Sequence, residues 1–356
     1  SLKAPDGGVV AEAETEVHGP DAHLSLGVTN PQRWWPRGHG ERPLYTLTLM
    51  LGESRWEARV GLRTVTLDTT PDDEGAAFTL LVNGKPVFCR GANWIPDDAF
   101  PHRVTPERYR ARIEQAADAG MNMLRVWGGG IYESEAFYNV CDELGVMVWQ
   151  DFPFACAAYP EEEPFAALVE AEARYNVARL SPHPSLVLWN GNNENLWGYA
   201  DWGWKEQLEG RTWGKGFYLD LLPRVAAELD PSRPYWPGSP YSGEGRHPNA
   251  GTHGPKHVWD VWNERDYRGY RDYRPRFAAE FGWQAPPTYP TLARSIPEGE
   301  RYASSPTMLH HQKAADGNGK LLRGLTPHFG SSVTGDAATF DDWLFLTQLN
   351  QARAVA

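Results

Sequence analysis

The chain has 356 residues, 41% of them hydrophobic and 22% charged, with 34 Lys+Arg against 46 Asp+Glu and a formal charge of −12. That is a globular composition long enough for two domains, and its acidity argues against nucleic acid, whose phosphates need a basic footprint. No apolar run approaches the roughly 18 residues that cross a bilayer, so no membrane partner is expected.

Residues 1–76 read as β structure. Alternating stretches at 9–17, 44–51 and 56–67 are separated by Gly/Pro/Asp-rich turns. The stretch is shorter than the roughly 100 residues of a full immunoglobulin-like sandwich, so it is expected to be the C-terminal part of one. The acidic turn "DTTPDDEG" (68–75) marks the boundary.

From there strands alternate with helices, and 77–356 is expected to be a second domain. The spacing predicts strands at 87–94, 122–128, 146–152, 186–193, 235–241, 257–262 and 276–283. A helix over 105–120 has Thr105 as N-cap, Pro106 at its first position and Gly120 as terminator. A second, over 134–145, has Ser134 as N-cap and closes at Gly145. Short apolar strands alternating with helices predict an α/β fold with a parallel sheet. Strand ends rich in chemistry favour a (β/α)8 TIM barrel, and the absence of a Gly-x-Gly-x-x-Gly turn weakens a dinucleotide fold. An eighth strand is not visible, and 340–356 reads as a helix.

Three cysteines, Cys89, Cys141 and Cys156, share no ligand-like spacing, so neither a disulfide framework nor a cysteine zinc site is indicated. The chain opens on Ser1, which reads as a cut. With no signal-like segment and no Asn-x-Ser/Thr acceptor, the compartment stays open, with a lean toward the cytoplasm.

Two strand ends present an isolated carboxylate in aromatic company. After the fourth strand, "LVLWNGNNEN" (186–195) offers Glu194. The seventh, "RFAAEFGW" (276–283), offers Glu280. Two facing carboxyls are what glycosidic cleavage needs: one gives a proton to the leaving oxygen, the other stays ionised and attacks the anomeric carbon. Glu194, among amides and tryptophans, suits the acid. Glu280 needs a donor or cation to stay charged, and Arg125, at the end of the second strand, is the candidate.

Sixteen tryptophans support a sugar site, because flat rings stack on apolar sugar faces. Trp94, Trp127, Trp149, Trp189, Trp197, Trp202, Trp259, Trp262 and Trp283 fall at proposed strand ends, although about half are expected only to pack. Other constellations are weaker. His253 and His257 are spaced like a helical metal pair, but Gly254 and Pro255 break the helix, so no metal and no cofactor are expected. The run Gly128–Gly129–Gly130 lacks the Lys-Ser/Thr of a phosphate loop and suggests close backbone approach to something bound.

Several strings together resemble glycoside hydrolase family 2, and within it the β-mannosidases. They are "WWPRGHGERPLY" (34–45), "VNGKPVFCRGANWIPDDAF" (82–100), "NMLRVWGGGIYE" (122–133), "CDELGVMVWQDFPFAC" (141–156), "SPHPSLVLWNGNNEN" (181–195) and "FAAEFGWQ" (277–284). The resemblance implies a retaining exo-glycosidase acting on terminal β-D-mannose, with an oligosaccharide or mannoside as substrate and no cofactor. It implies Glu194 as acid/base and Glu280 as nucleophile. It implies Asn193 at the sugar 2-hydroxyl, Arg125 in support of the nucleophile, and Trp127, Trp202 and Trp259 in the pocket.

The family normally has a jelly-roll domain before this region and an aromatic eighth strand and further β domains after it. Those missing domains of a longer parent are the partners expected. Taken alone, 1–356 is expected to hydrolyse aryl β-mannosides at least about 100-fold more slowly than that parent. A Tyr that often bonds the nucleophile has no clear counterpart in "HVWDVW" (257–262). Another family 2 exo-glycosidase, a β-galactosidase or exo-β-glucosaminidase, and a non-catalytic carbohydrate-binding remnant are the alternatives.

Overall fold

The computed structural model describes residues 1–330 and 338–356, and the chain divides into two compact units, Ser1–Pro255 and Lys256–Ala356.

The first unit opens with antiparallel structure. Val9–Ala11, Leu2–Lys3, Tyr45–Leu51 and Ser54–Val60 make a four-stranded sheet in that order. Tyr45–Leu51 and Ser54–Val60 form a hairpin whose two-residue turn contains Gly52 at φ 57°, as such turns demand. A three-stranded sheet, Val65–Asp68, Thr79–Val82 and Lys85–Pro86, comes next. Trp34, fully buried, donates its indole N–H to the Asp142 carbonyl at 2.9 Å. Arg63 reaches the carbonyls of Pro184 (3.1 Å) and Leu186 (2.8 Å). These long-range bonds fasten the N-terminal strands to the α/β part of the same unit.

That part is built on a five-stranded parallel sheet in chain order: β1 (Gly91–Trp94), β2 (Met123–Val126), β3 (Met147–Asp151), β4 (Leu186–Asn190) and β5 (Tyr235–Trp236). Every residue of β2, β3 and β4 is buried, the mark of a parallel sheet covered on both faces. Helices α1 (Pro106–Asp118), α2 (Glu135–Leu144) and α3 (Phe165–Leu180) supply cover. In α1, Thr105 Oγ1 accepts from Arg108 N at 3.3 Å, and Tyr109, Ile113 and Ala117 are buried at helical spacing. α2 stops at Gly145, left-handed at φ 71°. Ser134 is the N-cap of α2, as expected, and caps it through its carbonyl, which accepts from Phe137 N at 3.0 Å, with no side-chain cap bond.

The second unit begins within β6 (Pro255–Val258), which pairs with β7 (Phe277–Phe281). Its core gathers Val258, Val261, Trp262, Trp283, Leu321, Leu325, Trp343 and Leu344. The predicted terminal helix is Phe340–Val355, capped by Thr339, whose Oγ1 accepts from Asp342 N at 3.2 Å. It meets Gly317–Phe329 where Asn350 bonds the Gly324 carbonyl at 3.1 Å. A Cβ on Gly324 would lie 2.4 Å from the Trp283 ring, so only glycine fits there.

All seven predicted barrel strands exist, shorter than expected. Among the described residues they form one sheet of five and one of two rather than a single closed ring. The sixth needs correction: it was expected over 257–262 but ends at Val258. The chain turns at Trp259 into a short helix, Asp260–Asn263, with Asn263 N bonding Trp259 O at 2.9 Å and Glu264 N bonding Asp260 O at 2.7 Å.

Candidate active site

In the first unit the exit of β4 builds the Glu194 environment. Gly191 succeeds the strand because a Cβ there would lie 2.4 Å from the Pro237 carbonyl oxygen. Asn193 then bridges to the segment after β3: its N–H donates to Phe154 O at 2.8 Å and its carbonyl accepts from Cys156 N at 3.0 Å. Glu194 is 8% exposed and takes the left-handed backbone at φ 62°, uncommon for a residue with a side chain. Its N–H donates to Ser239 O at 2.8 Å, and its carbonyl starts α4 (Asn195–Asp201) by accepting from Gly198 N at 2.6 Å.

Beneath this loop lies a buried ion pair. Arg125, on β2, gives two N–H groups to Asp151, on β3: Nε to Oδ1 at 3.2 Å and Nη2 to Oδ2 at 2.8 Å. Nη1 reaches Asn93 Oδ1 at 3.0 Å, and Nη2 also reaches Asn193 Oδ1 at 2.8 Å. Asp151 accepts further bonds from Trp149 Nε1 (2.9 Å), Gly128 N (3.0 Å) and Asn190 Nδ2 (2.7 Å). A buried charge pair is tolerable when its remaining donors and acceptors are satisfied in this way. Asn193 passes the order upward: its Nδ2 donates to Cys156 Sγ at 3.3 Å, and that sulfur lies 3.3 Å from Glu194 Oε2 as donor.

In the second unit Glu280, near the end of β7 and 6% exposed, has its own donors. Trp259 Nε1 donates to Oε2 at 3.0 Å, and Nδ1 of buried His257 is 3.3 Å from the same oxygen. His257 is the penultimate residue of β6, and Trp259 follows just past its end, as the N-cap of the short helix Asp260–Asn263. Just beyond Glu280, the Tyr270 hydroxyl donates to Gly282 O (2.7 Å) and accepts from Gly282 N (3.1 Å), fixing the exit of β7.

Within each unit the sequence-predicted residues have these partners. Arg125 and Asn193 join Glu194 in the first unit, and Trp259 joins Glu280 in the second. Trp259, expected to line a pocket, bonds the carboxylate directly. Trp202 is 38% exposed and packs on Trp197 and Trp204, and Trp127 is half-buried. Trp149, Trp189, Trp262 and Trp283 are buried core, as expected for part of the set. The glycine run is explained by the protein itself: a Cβ at Gly129 would strike the Trp127 ring, and one at Gly128 would lie 2.7 Å from Phe154 O. His253 contacts Thr252 and His257 contacts Glu280.

Sequence reasoning missed Asp151 and Asn93, and considered Cys156 and His257 only as metal ligands. Asp151 and Asn93 sit at strand ends and could have been found by the criterion that found Glu194. Cys156 could not, since only the fold brings it to the loop 38 residues on.

No family model matches the chain. It is 38% identical over 349 residues to the β-mannosidase of Capra hircus, covering 91% of this chain and 39% of that protein. It is 36% identical over 351 residues to β-mannosidase B of Emericella nidulans, covering 94% of this chain and 41% of that protein. The crystal structure of a β-D-mannosidase from Dictyoglomus thermophilum superposes with a TM-score of 0.85 at 44% identity, over 92% of this chain and 40% of that one. The chain thus spans about two-fifths of the length of the curated relatives it matches.

Proposed function

We propose, on the premise that this chain is homologous to the β-mannosidases over nine-tenths of its length, that it carries the catalytic pair of a retaining exo-β-mannosidase. In this reading Glu280 attacks the anomeric carbon of a terminal β-D-mannose while Glu194 protonates the departing oxygen. Glu194 then takes a proton from the water that releases the sugar. No cofactor or metal enters the reaction.

The observation that carries the reading is the environment of Glu280. A carboxylate 6% exposed stays ionised and aimed only if donors meet it, and Trp259 N–H does so at 3.0 Å with His257 beside it. On the other carboxyl, Arg125 and Asp151 hold Asn193 so that the amide next to Glu194 is fixed for a sugar hydroxyl. Trp127 and Trp202 supply faces for sugar rings. The corresponding architecture is a (β/α)8 barrel over 77–356, preceded at 1–76 by the last part of an immunoglobulin-like sandwich, within a longer parent.

The test is side-by-side turnover of aryl β-mannoside, β-galactoside and β-glucosaminide by the full-length protein. A preference for the mannoside supports the reading. A preference for either other sugar replaces it with that exo-glycosidase, and no turnover of any supports a binding remnant.

A further inference from the structure

We propose that Cys156 is a positioning residue for the acid/base: its thiol ties Oε2 of Glu194, through Asn193, to the buried Arg125–Asp151 pair. The inference rests on the reading of Glu194 as the acid/base of a mannosidase.

The contacts form a continuous run. Asp151 accepts from Arg125, Arg125 donates to Asn193 Oδ1, Asn193 Nδ2 donates to Cys156 Sγ, and Cys156 Sγ donates to Glu194 Oε2. The central member must accept from an amide and donate to a carboxyl. A thiol does both, a hydroxyl could, and a methyl cannot. The backbone serves the same end. Cys156 is left-handed at φ 50°, as Glu194 is at 62°, and strain of this kind persists where surroundings over-determine it. They do so here: Ala155 bridges Asn193 in parallel, Cys156 N donates to Asn193 O, and Ala157 N donates to Asn195 Oδ1 at 3.1 Å.

The other two cysteines differ. Cys141 is fully buried in the hydrophobic core, and burial pushes the Cys89 thiol up to about 12. Cys156 is exposed, at the carboxyl. The terminal torsion of a glutamate is broad, so a carboxyl without an anchor samples many angles. Anchoring Oε2 fixes the plane of the carboxyl and with it the direction in which the acid delivers its proton. The contribution should therefore appear in steps that need proton transfer and vanish where the leaving group needs none.

The experiment compares wild type, Cys156→Ala and Cys156→Ser in the full-length protein on aryl β-mannosides of graded leaving group. Losing one weak hydrogen bond should lower kcat/KM about fivefold on the poorest leaving group and leave kcat/KM on dinitrophenyl mannoside nearly unaffected, because kcat/KM reports the first chemical step alone. Cys156→Ser should restore most of the loss. A second arm needs no turnover: at a pH high enough to ionise Glu194, iodoacetamide should label Cys156 several-fold faster in Glu194→Gln than in wild type, because the adjacent carboxylate charge then suppresses the thiolate. Equal loss on all leaving groups, no loss, or labelling indifferent to Glu194→Gln would each overturn the inference while the mannosidase reading stands. Wild type that turns over no aryl β-mannoside would overturn that reading, and this role with it.

Discussion

Trp259 places its indole N–H 3.0 Å from Oε2 of Glu280, and it can do so because β6 ends one residue earlier and turns into a helix. The corner also leaves His257 3.3 Å from the same oxygen, so two groups from one short stretch serve one carboxylate.

Trp259→Phe keeps the ring and removes the donor. A hydrogen bond to a charged group contributes roughly 1.5–3 kcal/mol, so kcat/KM on an aryl β-mannoside should fall about 10- to 100-fold. Steady-state kinetics check this, and circular dichroism should show an unchanged fold.

Removal of either carboxyl should have a different signature. Glu280→Ala should abolish turnover of every substrate, since no glycosyl-enzyme can form. Glu194→Ala should spare kcat/KM on activated aryl mannosides while lowering kcat, and added azide should restore kcat by replacing water in the second step. Equal losses on activated and natural substrates would mean that Glu194 is not the acid.

The Arg125–Asp151 pair gives a stability prediction. Asp151→Asn leaves a buried guanidinium uncompensated and should cost roughly 3–5 kcal/mol, read as a fall in melting temperature. The double change Arg125→Met with Asp151→Leu should cost less than the single one, because no orphaned charge remains.

His183 makes stability depend on pH. Burial opposes its charge, but Asp142 at 2.7 Å and Glu135 at 3.0 Å outweigh burial and raise its pKa to about 9. A folded pKa above the unfolded value near 6.5 means the stabilisation is fully present below about pH 6.5. It is lost as pH rises through 9, and amounts to about 3 kcal/mol at most. The melting temperature should therefore fall between pH 7 and 9.5 by more in wild type than in His183→Asn.

Much of this was legible in local sequence. Thr105 with Pro106 marks the start of α1 because a capping hydroxyl and a pre-set φ act within one turn, and Gly145 ends α2 because only glycine takes φ 71° without strain. Glu194 stands out because it follows the apolar run of β4, and Glu280 because it is the single charged residue among the apolar ones of β7. What was not legible depends on distant segments. The sequence gives no sign that Gly128 faces the carbonyl of Phe154, or that the Cys156 loop is held by Asn193 and Asn195. The sixth strand was read too long because Trp259, Val261 and Trp262 keep an apolar pattern that suits a strand and a short helix equally.

The most direct test of the central claim is covalent trapping. Full-length protein incubated with 2-deoxy-2-fluoro-β-D-mannosyl fluoride, whose intermediate forms faster than it breaks down, is digested and mapped by mass spectrometry. One fluoromannosyl group is expected on the peptide containing Glu280 and none on the peptide containing Glu194. Label on Glu194, label on any other carboxylate, or steady turnover with no label at all would contradict that claim.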